Sequence, residues 1–455
     1  MIGKWTHGNR RDFVKGAIGS AAAVALAGRS SFGAPAGLRG RFLTHVSVVR
    51  VNQIEVTPTK NIGDDEAALN SPDHIRSRRA AFEAGWPGAK MTWAISWLAL
   101  YDPRPEYREA RRLLADYHHK YGDEVTFIPG GYFAPMYDTR KNNQQTIRKA
   151  LQMISVMVGD NYRPQSLVAG YLDADSQNYL ATEEGIHVCQ GQIWSQHGID
   201  NGDGDGGICY PYYPSREHYL KPAQGKSDFI DCVCLDGWTC DFLPARRQGF
   251  DGGFNSRLGV GPIETGRLGL DAGHQETIAT VAQHLDQGYA LNGFAFTTSI
   301  WEVSLGQEED LTWSLQAIKS RWPDTRVMTE GEFGLEWRRH NPSNAHLDYR
   351  FDAKGTGVKG AGSEPELEIQ WFMNKDFRLA LLRNWQTGEA PRVIDFTRYD
   401  LKAEEPQGLQ REWSLMNVLN QKGTRPEDKP IPFSQLTADD RHRILARYPE
   451  LSKLK

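Results

Sequence analysis

One stretch of the chain, residues 124–200, decides the fold because short β-rich runs alternate in it with a helical run. The stretch reads EVTFIPGGY at 124–132, NNQQTIRKALQMISVMV at 142–158, SLVAGYLDADS at 166–176 and GIHVCQGQIW at 185–194. The run at 142–158 is amphipathic and long enough for a helix, whereas the other three have the length of strands. This alternation is typical of parallel β/α units.

The same alternation continues on both sides of this stretch. It predicts about eight β/α units, the composition of a (β/α)8 barrel of the TIM type, with seven strands as a variant. We therefore expect an α/β fold in which a (β/α) barrel over residues 37–340 is the catalytic domain. The predicted strands are Val46–Val56, Met91–Leu98, Val125–Ile128, Leu167–Leu172, Ile186–Trp194, Phe229–Leu235, Leu291–Ile300 and Arg326–Phe333.

A doubly wound open sheet is the alternative architecture. Open sheets that bind dinucleotides carry a glycine-rich turn after an early strand. The nearest match here, Gly259-Val260-Gly261, has Glu264 where the third glycine belongs. The barrel is therefore the favoured fold.

The sequence changes character after residue 340. Alternating apolar and polar residues, as in Glu368–Met373, predict a small β-rich appendage over residues 341–400. Residues 401–455 form a polar C-terminal tail in this interpretation, with one short helix at Ala438–Arg447.

Residues 124–200 also resemble consecutive units of the polysaccharide-deacetylase-like barrel superfamily, which includes glycoside hydrolases. In that superfamily a strand with metal-binding histidines precedes a helix, a strand with an Arg-Pro-Pro-Tyr-Gly-like turn, and a strand that ends in Trp. Here the turn is Ala169–Asp175 and the Trp is Trp194, but Gly130–Pro135 stands where the histidine pair belongs. The resemblance implies a carbohydrate-active barrel and speaks against the metal chemistry of the deacetylases.

Residues 1–36 resemble a twin-arginine (Tat) signal peptide. Arg10-Arg11 is followed by a Phe, a Lys, a small apolar run over Gly16–Ala27, and the A-x-A-like cleavage site Ala34-Pro35-Ala36. The apolar run is too short to span a bilayer comfortably. We expect export by the twin-arginine pathway, a periplasmic or secreted location, and no stable membrane insertion after the signal is removed.

Charge and composition limit the classes of partner. The chain has 455 residues, with 53 Lys and Arg against 57 Asp and Glu, and a formal net charge of −4. Residues 1–36 carry five basic side chains and one acidic one, so the remainder carries −8. Nucleic-acid-binding proteins usually present a basic surface, and 39% hydrophobic residues is too few for a polytopic membrane protein. A glycan is the expected partner, and the oligomeric state stays open.

Acidic side chains follow several predicted strands, at the carboxyl ends where barrels place their reacting groups. Glycoside hydrolysis needs one carboxyl group to protonate the leaving oxygen and a second as nucleophile or base. Asp173 and Glu332 are the expected acid/base pair, and Glu330 shares the parity of Glu332 in the predicted eighth strand. The competing interpretation is that each carboxylate caps a helix or pairs with an arginine. The further catalytic candidates are Asp236, Glu55 and His197.

Aromatic and acidic side chains near these positions are expected to contact the sugar. The chain has 13 Trp, and a flat aromatic ring can stack on the apolar face of a sugar. The predicted substrate-binding residues are Trp194, Trp238, Trp301, Asp175 and Glu264.

Metal sites have limited support. Asn201, Asp203 and Asp205 match the first half of a calcium loop, but Tyr212 stands where an EF-hand needs its bidentate Glu. A structural calcium is one expectation for this loop, and hydrogen bonding to sugar hydroxyls is the other. No His pair at i, i+4 suggests a catalytic zinc. We expect no required cofactor.

These features predict an exported glycoside hydrolase that acts on a glycan through paired carboxylates at the barrel mouth. Two alternatives stay open: a metal-dependent carbohydrate esterase or deacetylase, and a non-catalytic periplasmic glycan-binding barrel. Activity that survives EDTA would argue against the first alternative, and binding without turnover would favour the second.

Overall fold

A computed structural model describes residues 37–57, 60–192, 206–237, 269–358, 364–409, 415 and 430–454 of the chain. The predicted twin-arginine segment lies outside these residues. No helix in the described ranges has the length and apolar character needed to cross a membrane.

The elements are numbered in chain order. The strands are β1 (Gly40–Val49), β2 (Asn52–Thr57), β3 (Lys60–Asp65), β4 (Thr92–Ile95), β5 (Glu124–Phe127), β6 (Leu167–Val168), β7 (Val188–Gln192), β8 (Val233–Asp236), β9 (Phe294–Ile300), β10 (Arg326–Met328), β11 (Asp348–Lys354), β12 (Leu367–Asn374), β13 (Phe377–Asn384), β14 (Arg392–Arg398) and β15 (Ile431–Pro432). The helices are α1 (Pro72–Gly85), α2 (Trp97–Tyr101), α3 (Pro105–Tyr121), α4 (Ala134–Tyr137), α5 (Arg140–Val158), α6 (Ala174–Tyr179), α7 (Leu270–Ala282), α8 (Tyr289–Asn292), α9 (Glu308–Arg321), α10 (Glu330–His340) and α11 (Ala438–Arg447). Short 3-10 turns occur at Ala67–Asn70, Pro129–Tyr132, Val303–Leu305, Asn344–His346, Phe433–Gln435 and Pro449–Leu454, and π-helical turns at Leu180–Glu184 and Gln283–Gly288.

Strand β1 is the centre of the first parallel sheet. One of its edges pairs in parallel with β9, and the other pairs first with β10 and then with β4, which is followed by β5. From Leu43 to Val49 every residue of β1 is buried, as expected for a parallel strand covered on both faces. This continuous burial explains why its sequence, FLTHVSVV, does not alternate cleanly between apolar and polar residues.

A second parallel sheet contains β6, β7 and β8 in that order. Strands β5 and β6 form no ladder between described residues, although the Thr126 hydroxyl donates to the Ser166 carbonyl at 2.5 Å across the gap. The fold is therefore mixed α/β with parallel strands, as predicted. The described parallel strands form two sheets and do not by themselves close into a barrel.

The predicted eighth strand, Arg326–Phe333, is wrong in its second half. Only Arg326–Met328 is a strand, and α10 begins at Glu330. Thr329 caps this helix: its hydroxyl accepts from the Glu332 N–H at 3.1 Å, and the Glu332 carboxylate accepts from the Thr329 N–H. This reciprocal capping box favours a helix start over a continued strand. Glu330 and Glu332 therefore do not share a strand face.

Helices cover the outer side of the first sheet. Helix α1 begins as predicted, because the Ser71 hydroxyl accepts from the His74 N–H at 3.3 Å and Pro72 occupies the first helical position. Its buried Phe82 lies against His45 of β1, with ring centroids 5.0 Å apart. Helix α1 packs between α3 and α9 and so completes the layer.

Strands β11 to β15 form an antiparallel sheet in chain order. This β-rich C-terminal part has its own apolar core, to which α11 contributes Ile444 from the predicted helix Ala438–Arg447. The buried Arg378 guanidinium lies 2.5 Å from the Asp395 carboxylate and donates to the Gly207 carbonyl at 2.9 Å. Because it contacts both Asp395 and Gly207, the Arg378 guanidinium connects the C-terminal sheet to the α/β part.

Candidate active site

Asp173 lies just beyond the carboxyl end of β6. The turn before it requires a glycine at Gly170, where φ is +66° and a Cβ would meet the Tyr132 side chain at 2.6 Å. Asp173 then caps α6, because its Oδ1 accepts from the Ser176 N–H at 2.8 Å. The side chain is fully buried, and its Oδ2 has no hydrogen-bond partner among the described residues.

Glu405, from the segment after β14, reaches the same end of α6. Its Oε1 accepts from the N–H groups of Ala174 at 2.9 Å and Tyr219 at 2.7 Å. Its Oε2 lies 3.0 Å from Arg140 Nη2. Two buried carboxyl groups, Asp173 and Glu405, thus meet at the first turn of one helix.

Arg140, the first residue of α5, is the cation that faces this pair. Its Nε lies 3.3 Å from Asp173 Oδ1 and its Nη2 lies 3.0 Å from Glu405 Oε2. Its Nη1 also lies 3.4 Å from Asp175 on the exposed side of the cluster. One guanidinium cannot neutralise two buried carboxylates, so the cluster favours keeping one proton.

Burial is the main cause of the altered acidity of this pair. It raises the pKa of Asp173 against the opposing effect of Arg140, and it raises the pKa of Glu405 with the Asp173 charge as the second cause. Such groups titrate as a pair. Three donors hold the ionised form of Glu405, whereas Asp173 Oδ2 has none. Burial raises the pKa of Glu405 to about 8 and also raises the pKa of Asp173, so the pair keeps at least one proton at neutral pH. Asp173 Oδ2, which has no hydrogen-bond partner among the described residues, can carry that proton.

Asp236 ends β8 and lies in register with Gln192 at the end of β7. Asp236 is buried, and the Gln192 amide donates to the Ile208 carbonyl at 2.6 Å while its Oε1 has no partner in the described part of the chain. In the same row, Gln190 accepts from the Gly170 N–H at 3.1 Å. The turn that carries Asp173 and the end of the strand that carries Asp236 are therefore at one end of one sheet.

Glu330 is the first residue of α10, and its side chain is buried against the first sheet. Its Oε1 accepts from the hydroxyls of Thr44 at 2.7 Å and Thr298 at 3.0 Å, and its Oε2 has no partner within the described ranges. Its N–H donates to Thr92 at the amino end of β4. Burial raises the pKa of Glu330 to about 7. The described hydrogen bonds of Glu330 go to residues of the first sheet, whereas those of Asp173 go to α5 and α6, so none of these bonds joins the two carboxyl groups and their predicted meeting stays a prediction.

Two other predicted carboxylates are held by structural contacts. Glu332 is half-buried, completes the capping box of α10 and forms an ion pair with Lys90. Glu55 accepts from the Ser96 hydroxyl and from the Leu98 N–H, each at 2.8 Å, which fastens α2 to the β2–β3 hairpin. Glu332 and Glu55 therefore both fit the competing interpretation of the sequence, in which such carboxylates cap helices.

The predicted substrate-binding residues have separate outcomes. Trp301 is only 2% exposed and its Nε1 donates to the Gly306 carbonyl at 3.0 Å, so its ring is part of the core and is not a platform for a sugar. Asp175 is exposed and next to the Asp173 cluster. The other predicted residues lie outside the described ranges: Trp194, Trp238, Glu264, His197, Asn201, Asp203 and Asp205.

The described residues do not fit the metal site of the deacetylases. They include no group of three or more His, Cys, Asp or Glu side chains arranged to hold a metal ion. The turn Pro129–Tyr132 follows β5, where the resemblance would place two histidines, and it supplies neither imidazole nor carboxylate. No step of a mechanism can be built on such a metal from these residues.

Two notable features of the carboxyl ends escaped the sequence analysis. Arg50, just after β1, lies 2.6 Å from Glu66 and 2.9 Å from Glu302, which follows β9. Tyr132 adopts a left-handed backbone with φ of +79°, which is rare for a bulky residue and occurs most often at functional sites. The dipeptide Gly130-Gly131 before it was the available indication of this turn. Arg50 had no comparable local pattern.

The α/β part of the fold consists of parallel β/α units, and buried acidic groups lie at the ends of their strands. These two features define the class of protein. Residues 36–373 match the family described as "Domain of Unknown Function with solved-structure structure" (DUF3863), and residues 378–451 match DUF3864, which has the same description. The first match covers more than half of the chain. The chain therefore belongs to the DUF3863 family.

Among solved structures, the chain is similar to a protein of Parabacteroides distasonis described as a candidate glycoside hydrolase/deacetylase. The two are 45% identical with a TM-score of 0.86, over 92% of this chain and 100% of the other. A candidate polysaccharide deacetylase of Mycobacterium smegmatis is 11% identical with a TM-score of 0.42, over 68% of this chain and 94% of the other. A branching enzyme of Thermococcus kodakaraensis is 10% identical with a TM-score of 0.39, over 65% and 71%. Both of these TM-scores are below 0.5, so neither bears on function. No protein of curated function matches the chain.

Proposed function

We propose that the protein is an exported glycoside hydrolase that cleaves a glycan at the carboxyl ends of β6 to β8. The observation that carries this proposal is the buried Asp173–Glu405 pair, in which burial raises the pKa of both carboxyl groups beside the single guanidinium of Arg140. Protonation of a leaving oxygen by a carboxylic acid at neutral pH needs such a raised pKa. The similarity to the Parabacteroides distasonis protein supports carbohydrate as the substrate class. In this proposal the two parallel sheets belong to one (β/α)8-like barrel.

Asp173 is the proton donor in this proposal, through Oδ2. Asp236, at the end of β8 in the same sheet, is the proposed nucleophile or base. Glu405 and Arg140 are positioning residues, because they contact the Asp173 cluster and set its charge. Asp173 is covered in this structure, so the proposal requires that glycan binding uncover Oδ2.

Export by the twin-arginine pathway is part of the proposal. It is supported by the paired arginines at Arg10-Arg11 and by the start of the family match at residue 36, beside the proposed cleavage site. Cell fractionation followed by N-terminal sequencing tests it. Mature protein outside the cytoplasm that begins at Gly37 is expected, whereas Arg10-Arg11→Lys-Lys should leave the precursor inside.

The enzymatic proposal is tested by product analysis on a mixed glycan panel. We expect wild type and Glu332→Gln to release reducing sugar, and Asp173→Asn to release far less. Binding without product for the wild type would favour a glycan-binding protein and overturn the proposal. Loss of product with Glu332→Gln but not with Asp173→Asn would overturn the assignment of Asp173 to the active site.

A deacetylase is the second candidate, because the description of the Parabacteroides distasonis protein names both activities. Acetate release from acetylated glycans that stops in EDTA would support it. We propose that glycan cleavage needs no cofactor, so reducing-sugar release should persist in EDTA. A calcium ion at Asn201, Asp203 and Asp205 would then affect the melting temperature without affecting the chemical step.

A further inference from the structure

An apolar groove of about 720 Å³ lies on the surface between α2, α3 and α5. Its walls include the exposed Tyr101 and Val156, which keep 69% and 85% of their surface in contact with solvent. Trp97 and Tyr101 stack with centroids 6.4 Å apart and planes inclined by 7°. The remaining lining residues are Leu100, Arg111, Lys149, Gln152, Met153 and Met157. An exposed apolar patch of this kind usually marks an interaction site.

The charge at the groove is opposite to that of the whole chain. Arg111 on α3 and Lys149 on α5 line it, and no Asp or Glu of the described ranges does, although the chain as a whole carries −4. The neighbouring acid, Asp102, is held by Arg104 at 2.6 Å. The Arg111 guanidinium is fixed by the carbonyls of Ala99 and Asp102 at 2.8 and 2.9 Å. A preorganised cation beside exposed apolar side chains complements a partner that is both anionic and apolar.

We propose that this groove docks the protein on the surface of an anionic phospholipid membrane. Trp and Tyr side chains concentrate at the level of lipid headgroups, and basic side chains add attraction to anionic lipids. Val156 and Tyr101 enter the headgroup region, while Lys149 and Arg111 face the lipid phosphates. The contact is peripheral and reversible, and it is independent of the glycan chemistry proposed above.

Co-sedimentation with vesicles tests the proposal on the full chain. Vesicles that contain phosphatidylglycerol should bind the protein, vesicles of phosphatidylcholine should bind it weakly, and salt should release it. Lys149→Gln should lower the binding constant by about fivefold, and Tyr101→Ser with Val156→Ser by about tenfold or more. The matched controls are Lys453→Gln and Leu291→Ser, at exposed positions away from the groove.

The apolar run Gly16–Ala27 is present in every variant, so differences between variants report the groove alone. Equal binding of Lys149→Gln, the apolar double variant and the controls would overturn the proposal. A groove variant that binds vesicles normally but changes its sedimentation coefficient or its glycan binding would also overturn it, in favour of a second copy or a glycan. Lys149 is exposed, so its variant remains decisive if the apolar double variant fails to fold. Unchanged glycan cleavage by these variants separates this test from that of the active site.

Discussion

The protein contains two buried acidic sites, at Asp173 and at Glu330. Different neighbouring groups offset the cost of burying the carboxyl group at each site. At Asp173, the effect of burial is opposed by Arg140 and by the Ser176 N–H, whereas the second carboxyl group, Glu405, adds to it. At Glu330, the described groups that oppose the effect of burial are the hydroxyls of Thr44 and Thr298. Both sites are buried, but among the described residues only the first contains a cation.

The difference determines what each acid can do. Loss of a proton from the first site leaves at most two carboxylates beside one guanidinium, so Arg140 offsets part of the resulting negative charge. Glu330 has no cationic partner among the described residues, and two hydroxyls offset only part of its desolvation cost, so the neutral form is favoured. The first site suits proton transfer, whereas the second suits a buried hydrogen-bonding acid.

Replacing the proton donor should have the largest effect. Asp173→Asn keeps the cap of α6 but removes the acidic proton, so kcat/KM on a cleaved glycan should fall by about 10²- to 10⁴-fold. Glu332→Gln, at the carboxylate held by the capping box of α10, is the matched control and should stay near wild type. In the wild type, activity should fall as the pH rises through the raised pKa of the pair, because the acid is then ionised. Full activity of Asp173→Asn would remove the catalytic interpretation.

Substitution of Arg140, the cation beside Asp173, should destabilise the folded protein. Arg140→Met leaves two buried carboxyl groups without a counter-ion, so the free energy of unfolding should fall by about 3–5 kcal/mol in urea titrations. Arg112→Met removes an exposed arginine and should change that free energy by less than about 1 kcal/mol. Equal effects of the two substitutions would contradict the assigned electrostatic role of Arg140.

The second site should make stability depend on pH. The pKa of Glu330 in the folded protein, about 7, lies above its usual value of 4.5. The folded state therefore binds the proton more tightly, and this stabilisation is full below pH 4.5 and is lost as the pH rises through 7. Glu330→Gln should remove this loss, which amounts to on the order of 3 kcal/mol by pH 8. Urea unfolding at pH 4.5, 6 and 8 measures it.

Glu336→Gln is the control for that measurement. Its carboxylate has a lowered pKa because Arg326 holds it, so its stabilising effect is present at high pH and is lost on acidification. The two variants should therefore alter the pH profile in opposite directions. Parallel profiles for Glu330→Gln and wild type would show that Glu330 is ionised without cost.

Substitution of Glu332, the capping residue of α10, should have the smallest effect. Glu332→Ala removes one half of the capping box of α10 and the ion pair with Lys90, so it should cost about 1 kcal/mol of unfolding free energy. Glycan cleavage by this variant should be unchanged. A large loss of activity without a loss of stability would return Glu332 to the catalytic site.

Local sequence patterns predicted the helices and strands better than they predicted the residues of the candidate active site. Ser71-Pro72 and Ala438–Arg447 carry helix signals that act within a few residues, and both helices are found. The motif Thr329-x-x-Glu332 was also a readable cap. It was overlooked because the preceding apolar run, which includes Val327 and Met328, suggested a continuing strand. Trp301 shows the same limitation, since composition cannot distinguish a core tryptophan from an exposed one.

The order of β/α units, the turn that carries Asp173 and the start of each capped helix followed from the sequence itself, because residue spacing and capping are local properties. Only the tertiary structure decided that Asp173 meets Arg140 and Glu405, of which the last two are 265 positions apart. It also decided that Glu330 is buried against the first sheet without a cation among the described residues. Burial and pairing depend on how distant segments pack, and they determine which carboxyl group keeps its proton.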